Sequence, residues 1–143
     1  MSPRISVFVV SFGLILSLST ASACGGSPVA PTVNVPFSAT DLIVGSGATA
    51  SSGQTVTVAY TGWLYEEGAA DNKGTVFDQA NASSPFSFVL GTGQVIAGWD
   101  QGVDGMKVGG RRRLVIPPAL AYGTGGAGGG LIPPNATLIF EVE

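Results

Sequence analysis

Histidine is absent from the 143 residues, and cysteine occurs once. The first absence excludes imidazole as general acid or base, every catalytic triad that needs it, and most zinc sites. With Cys24 as the lone thiol, an internal disulfide is excluded as well. Charge is scarce: Asp, Glu, Lys and Arg make up 10% of the chain, and the net charge is −3. A charge-poor, mildly acidic surface has little to hold a polyanion, so nucleic acid is not an expected partner. The acidic residues are scattered, so no metal site and no cofactor are expected. No apolar run reaches the roughly 20 residues of a comfortable membrane span.

What is abundant is small or apolar. Hydrophobic residues make up 45% of the chain, with 22 glycines and 9 prolines. That balance predicts one loop-rich β or α+β domain rather than a coiled coil or a disordered tail.

The N-terminus has the pattern of a secretory signal over residues 1–23. Arg4 is its positive end, and 5–18 is apolar apart from Ser6, Ser11, Gly13 and Ser17. Removing it brings the net charge to −4. Ala21-Ser22-Ala23-Cys24 then reads in two ways. Ala21-x-Ala23 suits an ordinary signal peptidase, which would leave a secreted protein with a free thiol, awkward in an oxidising compartment. Alternatively the four residues are a lipobox and Cys24 carries the lipid, although Ala21 stands where Leu is usual. The solitary cysteine at the cut, followed by a Gly/Ser/Pro-rich tether, favours lipidation. Residues 24–40 are then an anchor and semi-flexible leash, and a multi-chain lipid would hold at about 0.8 kcal/mol per buried CH₂. The expected location is periplasmic or cell-surface, membrane-anchored. Gly26 in place of an aspartate after Cys24 argues against inner-membrane retention.

From residue 41 the pattern turns to strands. Residues 42–44 are a short apolar strand, and 54–65 alternates, with Val56, Val58 and Tyr60 on one face. Residues 66–75 form a polar loop, 76–78 an extended segment, and 86–90 alternates with Phe86, Phe88 and Leu90 together. One helix is expected at 94–106, where Ile96, Trp99, Val103 and Met106 make an apolar stripe. Gly98, Gly102 and Gly105 weaken it, so packing must hold it. Strands at 110–117 and 137–143 follow, the last with Leu138, Phe140 and Val142 inward. The fold class predicted for 41–143 is α+β: a curved antiparallel sheet, a half-barrel, around one short helix.

Five segments in order carry a specific likeness: Tyr60-Thr61-Gly62-Trp63-Leu64; Phe77-Asp78; Gly91-x-Gly93-Gln94-Val95-Ile96-x-Gly98-Trp99-Asp100-x-Gly102; Met106-x-Val108-Gly109-Gly110-Arg111-Arg112; and Ala121-Tyr122-Gly123 leading to Ile132-Pro133-Pro134-Asn135-Ala136-Thr137-Leu138. Together they resemble the FKBP-type peptidyl-prolyl cis-trans isomerases over nearly all of 42–143. The resemblance implies an aromatic pocket between sheet and helix. Tyr60, Asp78, Ile96, Tyr122 and Phe140 are its implied catalytic residues. Phe77, Phe86, Val95, Trp99, Leu131 and Ile132 are its implied substrate-binding residues. The implied partners are proline-containing clients of an exported folding catalyst and macrolide inhibitors; a monomer is expected. Trp99 can also be the core anchor of the helix, while Phe88, Leu138 and Val142 are expected in the core alone.

Some features depart from the family. Residues 79–84 contain no Lys or Arg, where relatives often place a base near the aspartate. Six of the eight residues 123–130 are glycine, which predicts a loose rim. The sequence stops at Glu143, which predicts a short or frayed last strand. The run Arg111-Arg112-Arg113 divides between two faces and is expected to be solvated rather than a phosphate patch. A proline-peptide or macrolide-binding module with little catalysis is the alternative function. An adhesive β-domain and a metal hydrolase fit less well.

Overall fold

The computed structural model describes residues 34–143; the signal segment and Cys24 lie outside them. Seven strands and one α-helix are present among the described residues. Strands β1 (Ser38–Ile43), β3 (Tyr60–Tyr65), β4 (Lys73–Ala80), β6 (Arg111–Ile116) and β7 (Leu138–Val142) make an antiparallel sheet in the order β1-β6-β7-β3-β4. Strands β2 (Thr55–Val58) and β5 (Phe86–Val89) form a separate antiparallel ribbon. β1 opens at Ser38, ahead of the strand expected at 42–44.

The alternating stretch 54–65 is one apolar pattern but two strands. It changes partner at Ala59, whose backbone exchanges hydrogen bonds of 2.9 and 2.8 Å with Glu143. β7 therefore does not fray: it lies between β3 and β6, and all five of its residues are buried. Its inward row, Leu138, Phe140 and Val142, joins Phe88, Leu90, Trp99, Val103, Leu114 and Ile116 in the core. On the opposite face Ile139 sits in one row with Trp63 and Val115, and Lys73 covers the Trp63 ring at 4.4 Å.

Helix α1 (Ala97–Val103) is shorter than the apolar stripe predicts. At its start, both carboxylate oxygens of Asp100 reach back to the Gly91 and Gly93 N–H groups, at 2.8 and 3.0 Å, and fold the preceding loop away from the helix axis. At its end Gly105 takes φ +76°, and its N–H bonds Ala50 O instead of continuing the helix. The glycines inside α1 are the price of contact with β6: a methyl at Gly98 would strike Ile116, and one at Gly102 would strike Leu114.

The three arginines divide between two faces as expected; Arg111 is exposed, but Arg112 and Arg113 are half-buried and all three are paired. Arg112 is only 14% exposed; it pairs with Asp41 at 2.6 Å and donates to Gly102 O and Asp104 O, the carbonyl end of α1. That end of a helix favours a cation. Arg111 and Arg113 lie on the other face, where they and Lys73 converge on Glu141 at 2.7, 2.9 and 2.6 Å. Glu141 is 7% exposed, and three cations compensate its burial.

Candidate active site

A cavity of about 420 Å³ opens between α1 and the two sheets. Its floor is Trp99, 3% exposed and fixed on the first turn of α1. Tyr60 from β3 stands perpendicular to the indole, with centroids 4.9 Å apart and planes at 88°. Phe140 from β7 does the same at 5.2 Å and 88°. Phe77 in turn stands edge-on to Phe140, at 5.4 Å and 89°. Edge-to-face contacts put positive ring edges against negative faces, a preferred arrangement that also leaves room between the walls. Phe86 closes one side, stacked on buried Phe88 at 5.6 Å and 22°.

The polar members lie at the rim. Strand β4 carries an irregularity opposite β3: Gly62 pairs Asp78, and Trp63 pairs Val76. The extra residue lets the sequence neighbours Phe77 and Asp78 both line the cavity, which strict alternation forbids. The Tyr60 hydroxyl donates to Asp78 Oδ2 at 2.6 Å, and the Gln79 N–H donates to Oδ1 at 2.8 Å. Among the described residues no Lys or Arg pairs with Asp78. Burial, then the Asp78 hydrogen bond and charge, then Tyr122, push the Tyr60 phenol well above its ordinary range. Burial and the Asp78 charge push Tyr122 up as well. Both hydroxyls therefore remain donors at neutral pH.

Nine of the eleven implied pocket residues meet here: Tyr60, Phe77, Asp78, Phe86, Val95, Ile96, Trp99, Tyr122 and Phe140. Leu131 and Ile132 do not line the cavity. Leu131 is 53% exposed, while Ile132 turns into the core, where its backbone bridges Ala127. That bridge, with hydrogen bonds of 3.0 Å in both directions, and an Asn135 N–H bond to Gly123 O tie the glycine-rich rim across its base. Gln94 lines the cavity as well. Its Oε1 accepts from the Val89 N–H at 2.9 Å, pinning β5 to the loop that presents Val95 and Ile96. A polar turn residue has no periodic signature, so only its place in the Gly91–Gly102 motif could have marked it.

The lining holds no serine, threonine or cysteine. The cavity is an aromatic bowl with a polar rim, in a curved antiparallel sheet packed on one helix.

A family model for FKBP-type peptidyl-prolyl cis-trans isomerases matches residues 47–143. An FK506-binding protein of Streptomyces anulatus is 54% identical over 104 residues, which are 72% of this chain and 79% of that protein. One from Neisseria meningitidis serogroup B is 52% identical over 104 residues, 72% of this chain and 88% of that protein. The crystal structure of AtFKBP13 superposes with a TM-score of 0.64 at 42% identity, covering 75% of this chain and 89% of that one. The chain belongs to the FKBP-type peptidyl-prolyl cis-trans isomerase family, and it is a peptidyl-prolyl isomerase.

Proposed function

We propose that the protein turns Xaa-Pro bonds of exported polypeptides by seating the proline ring on Trp99, between Tyr60, Phe77, Phe86, Val95 and Phe140. The supporting observation is the pair of rings perpendicular to the indole, which shapes a slot with an aromatic floor and walls. The uncatalysed barrier, about 18–20 kcal/mol, is the loss of amide resonance. At the top of that barrier the C–N bond is single and the carbonyl has lost charge separation. Water stabilises the planar, more polar amide; an apolar slot removes that advantage and so favours the twisted form.

The polar rim sets register. The Ile96 N–H is one of the first N–H groups of α1 and has no partner within the helix, so it is available to a substrate carbonyl. The Tyr122 hydroxyl donates to a second carbonyl. Asp78, held by Tyr60, directs its field at the rotating amide. A macrolide would compete for the same slot.

The protein is further proposed to be exported and tethered through lipid on Cys24. Exchange NMR on Ala-Xaa-Pro-Phe peptides tests the activity: acceleration blocked by a macrolide is expected, and binding without acceleration would refute it. Cys24→Ala should move the protein from the membrane to the soluble fraction.

A further inference from the structure

Glycines in this chain are required for different reasons, and Gly62 stands apart. It lies inside β3, buried, and its φ is not in the left-handed region that favours glycine. Nothing in the backbone there demands glycine. The demand is spatial. A methyl at Gly62 would stand 2.8 Å from Phe77 Cζ and 2.8 Å from Phe140 Cε1, with Phe140 Cδ1 at 3.1 Å. These are the two rings that meet at 89° on the sheet side of the cavity, and Phe140 is itself perpendicular to Trp99. The glycines at 98 and 102 also make room, but for Ile116 and Leu114, which are core residues outside the cavity. Among the described glycines, Gly62 is the one whose nearest neighbours are the cavity's own walls. Its cross-strand partners are Phe140 on β7 and Asp78 on β4, so it lies beside both in the sheet, between the strands that carry the two rings.

We propose that Gly62 is a specificity-determining residue: the missing side chain sets how far Phe77 and Phe140 recline, and hence the ring size the slot accepts. A methyl there would lift both rings toward the indole and narrow the slot. The inference rests on the reading that the proline ring sits on Trp99. It predicts that Gly62→Ala tolerates a four-membered imino acid better than a six-membered one.

The test compares isomerisation of three peptides, Ala-Ala-Xaa-Phe, where Xaa is azetidine-2-carboxylic acid, proline or pipecolic acid. In Gly62→Ala the kcat/KM ratio of azetidine to pipecolic peptide should rise about tenfold over the unsubstituted protein, chiefly through KM. General destabilisation would lower all three together and leave the ratio fixed; an unchanged ratio in folded protein overturns the proposal. If the single variant does not fold, the ratio is read in Gly62→Ala/Phe77→Leu against Phe77→Leu alone. There the methyl still lifts Phe140, so a smaller rise of the same sign is expected, and no rise overturns the proposal. An unsubstituted protein indifferent to ring size would instead refute the seating of proline on Trp99.

Discussion

The Tyr60 hydroxyl donates to Asp78 across the β3–β4 pair at 2.6 Å, although the residue opposite Tyr60 in register is Ala80. The bond thus runs diagonally beside the strand irregularity and fixes the one carboxylate at the cavity rim. With Lys and Arg absent from 79–84, the neutral donors Tyr60 and Gln79 take the place of a cation.

Asp78→Leu removes that carboxylate. Losing a preorganised charge aimed at the rotating amide should lower kcat/KM by about 10- to 100-fold. The melting temperature should change little, because Asp78 is exposed. Tyr60→Phe should produce a smaller fall. Peptide isomerisation with parallel calorimetry checks both, and unaltered turnover in Asp78→Leu would remove Asp78 from the mechanism.

Protonation of Glu141 is expected to weaken the fold in acid. Burial alone would raise its pKa, but hydrogen bonds from Lys73 and Arg113 and the charges of Lys73 and Arg111 outweigh it, leaving the value lowered. A lowered folded-state value means the stabilisation is complete above the unfolded value of about 4.3 and is lost as pH falls through the folded one. Asp41, lowered chiefly by its hydrogen bond from Arg112, acts in the same direction. Glu141→Gln should cost about 1–3 kcal/mol at pH 7 and flatten the loss of stability below about pH 4. Urea titrations across pH 2.5–7 measure this.

The Trp99 indole N–H is buried and has no hydrogen-bond partner among the described residues. Trp99→Phe deletes an orphaned donor along with some ring area, so the two effects oppose each other. The expected cost is about 1 kcal/mol, against about 3–5 kcal/mol for Trp99→Ala. Equal losses for Phe and Ala would show that the indole N–H is satisfied.

Gly98→Ala and Gly102→Ala test whether packing or propensity governs α1. Propensity alone would stabilise each by up to about 1 kcal/mol. Collision with Ile116 and Leu114 should instead destabilise each by about 1–3 kcal/mol. Trimming the neighbour, as in Gly102→Ala/Leu114→Ala, should recover part of the loss of Gly102→Ala relative to Leu114→Ala.

The helix and strands were legible because apolar residues recur at their periods: Trp99 and Val103 face the core from α1, and Leu138, Phe140 and Val142 do so from β7. Boundaries were less legible. The apolar pattern around α1 runs past both ends, while Asp100 and Gly105 stop the helix through contacts with Gly91, Gly93 and Ala50 that no local pattern contains. The change of sheet at Ala59 was hidden for the same reason, since both halves alternate alike. The arginine run looked solvated because the carboxylates that pair with it are distant in sequence: Asp41 lies 71 residues from Arg112, and Glu141 lies 28 from Arg113.

By itself the sequence determined which chemistry is absent, which side chains are apolar, and which ordered motif ties them to one family. These are properties of composition and spacing, and they survive any arrangement of the chain. Only the tertiary structure decided that Phe77 and Asp78 share a face, that Leu131 and Ile132 leave the cavity, and that Gly62 lies under two of its walls. Each depends on distances between residues far apart in the chain, set when β3, β4 and β7 pair and α1 packs across them.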